Sequence, residues 1–171
     1  GGARHNLART WCGNGAAPAD LEQALRELDL AIAEQRRIRA KAPDYERARA
    51  FLMLHLRLRG NCLARLARRE QLVAVAEELA TDVTNATHLR ADARFWLRAA
   101  EMLEPEPAEA NAALRARYEM AALGALLAAE RAGWDSNSRL SEAVYRPLEA
   151  LPGFRELRRR IEAKLDKSPP K

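Results

Sequence analysis

Apolar residues recur three and four positions apart along most of the chain and nowhere alternate as they would along a half-buried strand. That period predicts helices throughout. A short helix is expected from about Arg4 to Cys12, broken at Gly13-Asn14-Gly15 because paired glycines favour turns. Pro18 can open the next helix at its first turn, with Asp20 and Glu22 near the positive end of the dipole. The stripe Leu21, Leu25, Leu28, Ile32 carries that helix to about Ala42, where Pro43-Asp44 ends it. A third helix, Tyr45 to Ala67, has a broad band of Phe51, Leu52, Leu54, Leu56, Leu58, Leu63 and Leu66. A fourth runs from Glu70 to Ala80, with a capping cluster from Thr81 to Asn85 after it. A fifth spans Ala86 to Leu103. Glu104-Pro105-Glu106-Pro107 is the clearest linker, since neither proline fits inside a helix. The sixth, Ala108 to Ala132, closes on Gly133. After a turn at residues 135–138, a short helix from Ser141 is interrupted by Pro147, and a last one spans Phe154 to Leu165. Residues 167–171, with Pro169-Pro170, are expected to be disordered.

Three segments repeat one spacing of small and bulky apolar residues. They are Ala24-x3-Leu28-x2-Ala31, Ala122-x3-Leu126-x2-Ala129 and, with small and large exchanged, Leu72-x3-Ala76-x2-Leu79. Residues at that spacing share a helix face, so each set forms a ridge that a second helix can approach closely. Gly60, in the third helix, sits where such an approach is needed. The pattern resembles the second helix of a tetratricopeptide repeat, a helix–turn–helix unit of ~34 residues. Such units bury their apolar faces by stacking. From Tyr118 onward, Ala122, Leu126, Ala129, Gly133-Trp134, Leu140, Pro147-Leu148, Pro152, Phe154 and Leu157 resemble the repeat tails of large bacterial Hanks-type serine/threonine kinases, especially those of planctomycetes. The resemblance implies an all-α, tetratricopeptide-like solenoid of about four antiparallel hairpins in a right-handed superhelix. Those hairpins would cover 4–42, 44–80, 86–132 and 139–165 of a single domain, 1–166, the last pair sealing the stack. The glycines after helix one and the two linker prolines depart from a regular repeat. The segment itself carries no kinase chemistry: no glycine-rich phosphate loop, no His-Arg-Asp loop and no Asp-Phe-Gly.

Composition adds little to the fold but constrains function. At 171 residues the chain can bury a real core, and aromatics are only 5%. Lysine is confined to Lys41, Lys164, Lys167 and Lys171 against a large arginine majority, which with abundant alanine suggests a GC-rich bacterial genome. The net charge of +5 favours anionic partners without demanding them. The longest apolar run, Met120 to Ala129, is half of the ~20 residues a bilayer requires and reads as a buried helix. No signal peptide is evident, and Gly1-Gly2 reads as a cloning remnant or a cut within a longer protein. Cys12 and Cys62 are therefore expected to be reduced thiols in a cytoplasmic protein, although they could pair if the first two hairpins stack.

In a tetratricopeptide stack the first helix of each hairpin lines the concave groove. With Gly60 and Ala93 at the close-packing positions, that side of the third helix carries Arg57, Asn61 and Arg65, and that of the fifth carries Arg90, Arg94 and Arg98. Each triplet is spaced i, i+4, i+8 and forms a continuous stripe. The spacing resembles the carboxylate clamps of some tetratricopeptide modules. Arginine suits the task because its planar fork can grip a carboxylate or phosphate with two parallel hydrogen bonds. The alternative is a solvated arginine-rich face.

Other chemistry is thin. His5, His55 and His88 fall on three helices and make no metal set with the two cysteines. Gly13-Asn14-Gly15 follows no strand and reads as a turn, not a phosphate cradle. Trp11, Trp96 and Trp134 are expected to fill core, with Trp96 beside the arginine stripe as a secondary ligand candidate. Arg155, Arg158, Arg159 and Arg160 form a basic patch offset by Glu156 and Glu162, while Glu77, Glu78 and Asp82 read as surface charge. No nucleophile–base pair, metal spacing or nucleotide loop stands out, so neither a catalytic residue nor a cofactor is expected. The resulting expectation is a non-catalytic scaffold in a larger bacterial signalling protein, binding an acidic or phosphorylated peptide. A nucleic-acid-binding helical module and a structural or oligomerisation spacer are the alternatives. No membrane partner is expected, and the oligomeric state is open.

Overall fold

The computed structural model describes residues 2–13, 15–82, 85–103, 108–134 and 140–165. The expected linker at 104–107, the turn at 135–138 and the tail at 167–171 lie outside those residues, as do Asn14, Val83 and Thr84. Among the described residues the protein is all-α: α1 Gly2–Trp11, α2 Pro18–Lys41, α3 Glu46–Arg65, α4 Arg69–Asp82, α5 Ala86–Glu101, α6 Ala108–Arg131 and α7 Pro152–Leu165, with a 3-10 segment at Ala143–Leu148. Pro147 sits inside that segment, which is why the expected short helix tightens there. No helix of the described residues is long and apolar enough to cross a membrane.

Local chemistry sets the ends. Pro18 stands in the first turn of α2, where its missing N–H costs nothing, and Asp20 reaches back to the Ala17 N–H at 3.1 Å. The Asn85 side chain accepts from the Thr87 N–H at 2.9 Å and caps α5. Gly133 takes φ +93°, letting the Trp134 N–H reach back to the Ala129 carbonyl at 2.9 Å and close α6. The turn after α3 has the same form, with the Arg68 N–H bonded to the Leu63 carbonyl at 3.0 Å. Here the left-handed residue is Ala67, at φ 53°.

The chain forms two compact units, residues 1–79 and 80–171. In the first, α1 packs on α2 and α2 on α3. Helices two apart in the chain also run side by side. His5 meets His55 and Cys12 meets Cys62, so α1 lies parallel to α3 at a constant offset of fifty residues. Glu22 pairs with Arg68 and Arg36 with Glu78, which sets α2 parallel to α4. Arg59 to Asp29, 2.8 Å, ties the returning helix α3 to α2.

The second unit is built similarly. α5 and α6 pack along each other, with Trp96 and Tyr118 rings 5.6 Å apart. Gly153 of α7 faces Leu123 so closely that a Cβ would stand 3.0 Å from its Cδ2. Arg160 and Lys164 both reach Glu130. Leu123–Gly153 and Glu130–Arg160 each join residues thirty apart in the chain, so α7 runs parallel to α6. The 3-10 segment packs against α5 and α6, with Tyr145 and Leu148 fully buried.

All nine ridge residues, from Ala24-Leu28-Ala31 through Leu72-Ala76-Leu79 to Ala122-Leu126-Ala129, are inaccessible to solvent. Each buried leucine contributes about 1.5–3 kcal/mol of transfer free energy. Gly60 is buried as well. Trp11 departs from the expected core role: it is 37% exposed, on the same face of α1 as the 45%-exposed Leu7, because Ala8 turns inward in its stead. Trp96 and Trp134 are buried as expected.

The cysteines also depart from the expectation of reduced thiols. Cys12 and Cys62 form a disulfide joining the end of α1 to the last turn of α3, with Cα atoms 6.6 Å apart. The parallel packing of these helices brings the two Cβ atoms within bridging reach.

Candidate functional site

The α3 stripe begins with Arg57, half-buried and with its Nε unpartnered among protein atoms. Burial lowers its pKa from the ordinary arginine value. Asn61 is exposed. Arg65 has a structural task, donating at 3.1 Å to the carbonyls of Cys12, Gly13 and Ala16. Its planar fork thereby holds the loop between α1 and α2 against the end of α3.

The α5 stripe is divided in the same way. Arg90 lies over the Trp134 ring, 4.9 Å from its centroid, with its side chain only 13% exposed and Glu142 at 3.9 Å. A desolvated cation on an indole face is worth ~2 kcal/mol. That staples the end of α6 and the segment after it to α5. Arg94 also faces Glu142, at 3.6 Å, but its side chain is 52% exposed. Arg98 pairs with Glu101 one turn on, at 2.7 Å, and is 48% exposed. These last two pairs sit in water, where each ion pair is worth only ~0–1 kcal/mol and a competing anion can replace the partner. Arg94 and Arg98 are thus the cations of the α5 row whose present partners bind them weakly.

Trp96, the secondary ligand candidate, is core: its indole donates to the Asp92 carboxylate one turn earlier. Asp92 is 1% exposed and its Oδ1 has no partner. Burial raises its pKa to about 7, with the Trp96 hydrogen bond opposing. The basic patch of α7 is largely self-compensated, since Arg158 pairs with Glu149, Arg159 with Glu156 and Arg160 with Glu130.

Sequence reasoning missed an aromatic ladder in the first unit. Arg47 lies over Phe51 at 5.7 Å, Phe51 stacks on His55 at 6.2 Å, and His55 meets His5 at 5.3 Å. His55 is fully buried, and desolvation, reinforced by His5, lowers its pKa to about 4. Burial, then Arg9, lowers that of His5. The signal was available. The spacing His-x6-Cys occurs at His5–Cys12 and again at His55–Cys62, placing like residues on like faces of two helices that then pack in parallel. Among the described residues no group of three or more His, Cys, Asp or Glu gathers around a metal-sized centre.

No family model, curated protein or solved structure matches the chain.

Proposed function

We propose that this chain is a non-catalytic, tetratricopeptide-like interaction module that binds an acidic or phosphorylated segment of another protein. The observation that carries this reading is the side-by-side packing of equivalent helices at constant offsets, fifty residues between α1 and α3 and thirty between α6 and α7. Stacked hairpins have that geometry, and they leave one helix of each pair free to meet a ligand. The burial of all three ridges agrees with it. In this reading the chain belongs to a larger bacterial signalling protein, in which the module positions a substrate or mediates assembly.

The anion-binding residues are then a subset of the two stripes. Arg94 and Arg98 supply exposed guanidinium groups, while Arg57 and Asn61 supply a half-buried cation and an exposed amide in the first unit. Arg65 and Arg90 hold the fold. Two guanidinium groups one turn apart on α5 can grip one anion together where a single exposed pair contributes little.

Fluorescence anisotropy with an acidic and a phosphorylated peptide tests the proposal. The double variant Arg94→Glu, Arg98→Glu should abolish binding while circular dichroism and melting stay unchanged. Unchanged affinity would refute the role of these arginines. Preference for an oligonucleotide, with a steep fall in affinity as salt rises, would replace the peptide reading with nucleic-acid binding.

A further inference from the structure

We infer that the α5 arginine row selects a phosphorylated residue over a carboxylate, because Glu142 already sits on it as a built-in carboxylate competitor. This rests on the peptide-binding reading above and names the chemical class of its ligand. Glu142 stands at the start of the 3-10 segment but makes no capping hydrogen bond there. Its carboxylate instead reaches across to α5, one oxygen 3.9 Å from Arg90 and the other 3.6 Å from Arg94, one turn on. The Glu142 side chain is 32% exposed and that of Arg94 52%, so the contact is open to exchange.

The fit is loose. Hydrogen bonds between guanidinium and carboxylate run about 2.7–2.9 Å, so both contacts stand ~1 Å too long. Donors beside them are unmet. Nε of Arg90, and Nε1 of the Trp134 ring beneath that guanidinium, are buried with no partner among the described residues. Tyr145 is fully buried in the same cluster. Burial raises its pKa, and Arg90, Glu142 and Arg94 all act on it through space, yet its hydroxyl makes no aligned hydrogen bond.

These contacts decide which anion gains by entering. A peptide carboxylate repeats what Glu142 offers Arg94 and Glu101 offers Arg98, so replacing one with another changes little. The internal carboxylates are also tethered, which keeps them at high effective concentration. A phosphomonoester differs in kind, with a charge of about −1.5 to −2 at pH 7 and three acceptor oxygens. Its extra charge and oxygen exceed what the resident carboxylates supply.

The test uses two labelled glycine–alanine peptides, identical except for one phosphoserine or one glutamate, titrated into the full chain by fluorescence anisotropy. The phosphoserine form should bind about tenfold more tightly, the effect of one further charge-assisted hydrogen bond. Glu142→Gln should tighten both peptides about threefold to fivefold, the effect of freeing one exposed ion pair. Glu142→Asp keeps the charge but shortens the reach, and should tighten them similarly. Circular dichroism checks both variants. Should they unfold, NMR of the arginine Nε–H groups in the native chain decides: the phosphoserine peptide should shift Arg94 and Arg98 and leave Arg65 unmoved. Equal binding of the two peptides, unchanged affinity in the variants, a gain confined to Glu142→Gln, or shifts at neither Arg94 nor Arg98 would overturn the inference and leave the interaction module standing. Binding of neither peptide by any form would overturn both.

Discussion

His5 and His55 lie ring to ring at 5.3 Å, and seven residues further along the same two helices Cys12 is bonded to Cys62. Both rungs keep an offset of fifty residues, so α1 and α3 are parallel neighbours across nearly the whole of α1. This contact places an imidazole with no partner for either nitrogen at zero exposure. The first unit therefore depends on that ring remaining neutral.

Acid should destabilise the first unit. The His55 pKa falls from 6.5 to about 4 on folding, so the unfolded chain binds the extra proton between those values. Stability is complete above pH 6.5 and is lost as pH falls toward 4, by about 3 kcal/mol at ~1.4 kcal/mol per unit. Hydrogen exchange of peptides from residues 2–79 should show faster opening over that range, and His55→Phe should remove the dependence.

The second unit should respond oppositely. The Asp92 pKa rises from 3.8 to about 7 on folding, so here the folded state holds the extra proton. Its contribution is complete below pH 3.8 and declines as pH rises toward 7, by about 4 kcal/mol at the same value per unit. Asp92→Asn should flatten the profile for peptides from residues 85–165 and leave the variant more stable than the native chain at pH 7. Parallel pH profiles for the two units would contradict both assignments.

Reduction of the disulfide should destabilise the first unit by about 4 kcal/mol, the loop-closure value for a separation near 50 residues. Urea unfolding with and without reductant, read by exchange in residues 2–79, measures the difference. Cys12→Ser should reproduce it under oxidising conditions.

Ala67 holds a left-handed conformation, φ 53°, in the turn between α3 and α4. Glycine occupies that region without the Cβ penalty of ~1–2 kcal/mol, though it adds freedom to the unfolded chain. Ala67→Gly should raise stability by about 0.5–1 kcal/mol, seen as a higher denaturant midpoint at constant slope.

Arg65→Ala should behave differently from Arg94→Ala. Loss of three carbonyl contacts at the loop after α1 should cost about 1–2 kcal/mol of stability, reduced from the buried-site value by solvent. Arg94→Ala, which removes one exposed contact at 3.6 Å, should leave stability unchanged. Equal losses in thermal melts would remove the distinction between fold-holding and solvent-exposed arginines.

The helices and their buried ridges were legible from the chain because both are local properties. Periodicity names the inward face before any partner is known, and Ala24-Leu28-Ala31 and its two counterparts are all fully buried. Proline at the start of α2 and glycine at the end of α6 act within one turn, so they could be placed to within a residue or two. The candidate arginines could be listed but not sorted. Whether a guanidinium meets a loop carbonyl, an indole or water depends on what an element dozens of residues away presents to it.

What the sequence by itself determined is an all-helical chain with known inward faces, since hydrogen bonding and amphipathic period are settled within a few residues. Only the tertiary structure decided that the cysteines pair, that Trp11 stays at the surface, that His55 and Asp92 are buried, and that Arg65 and Arg90 hold the fold. Those outcomes depend on the register between helices. Register is a balance of packing over whole faces, which no short stretch of chain encodes alone.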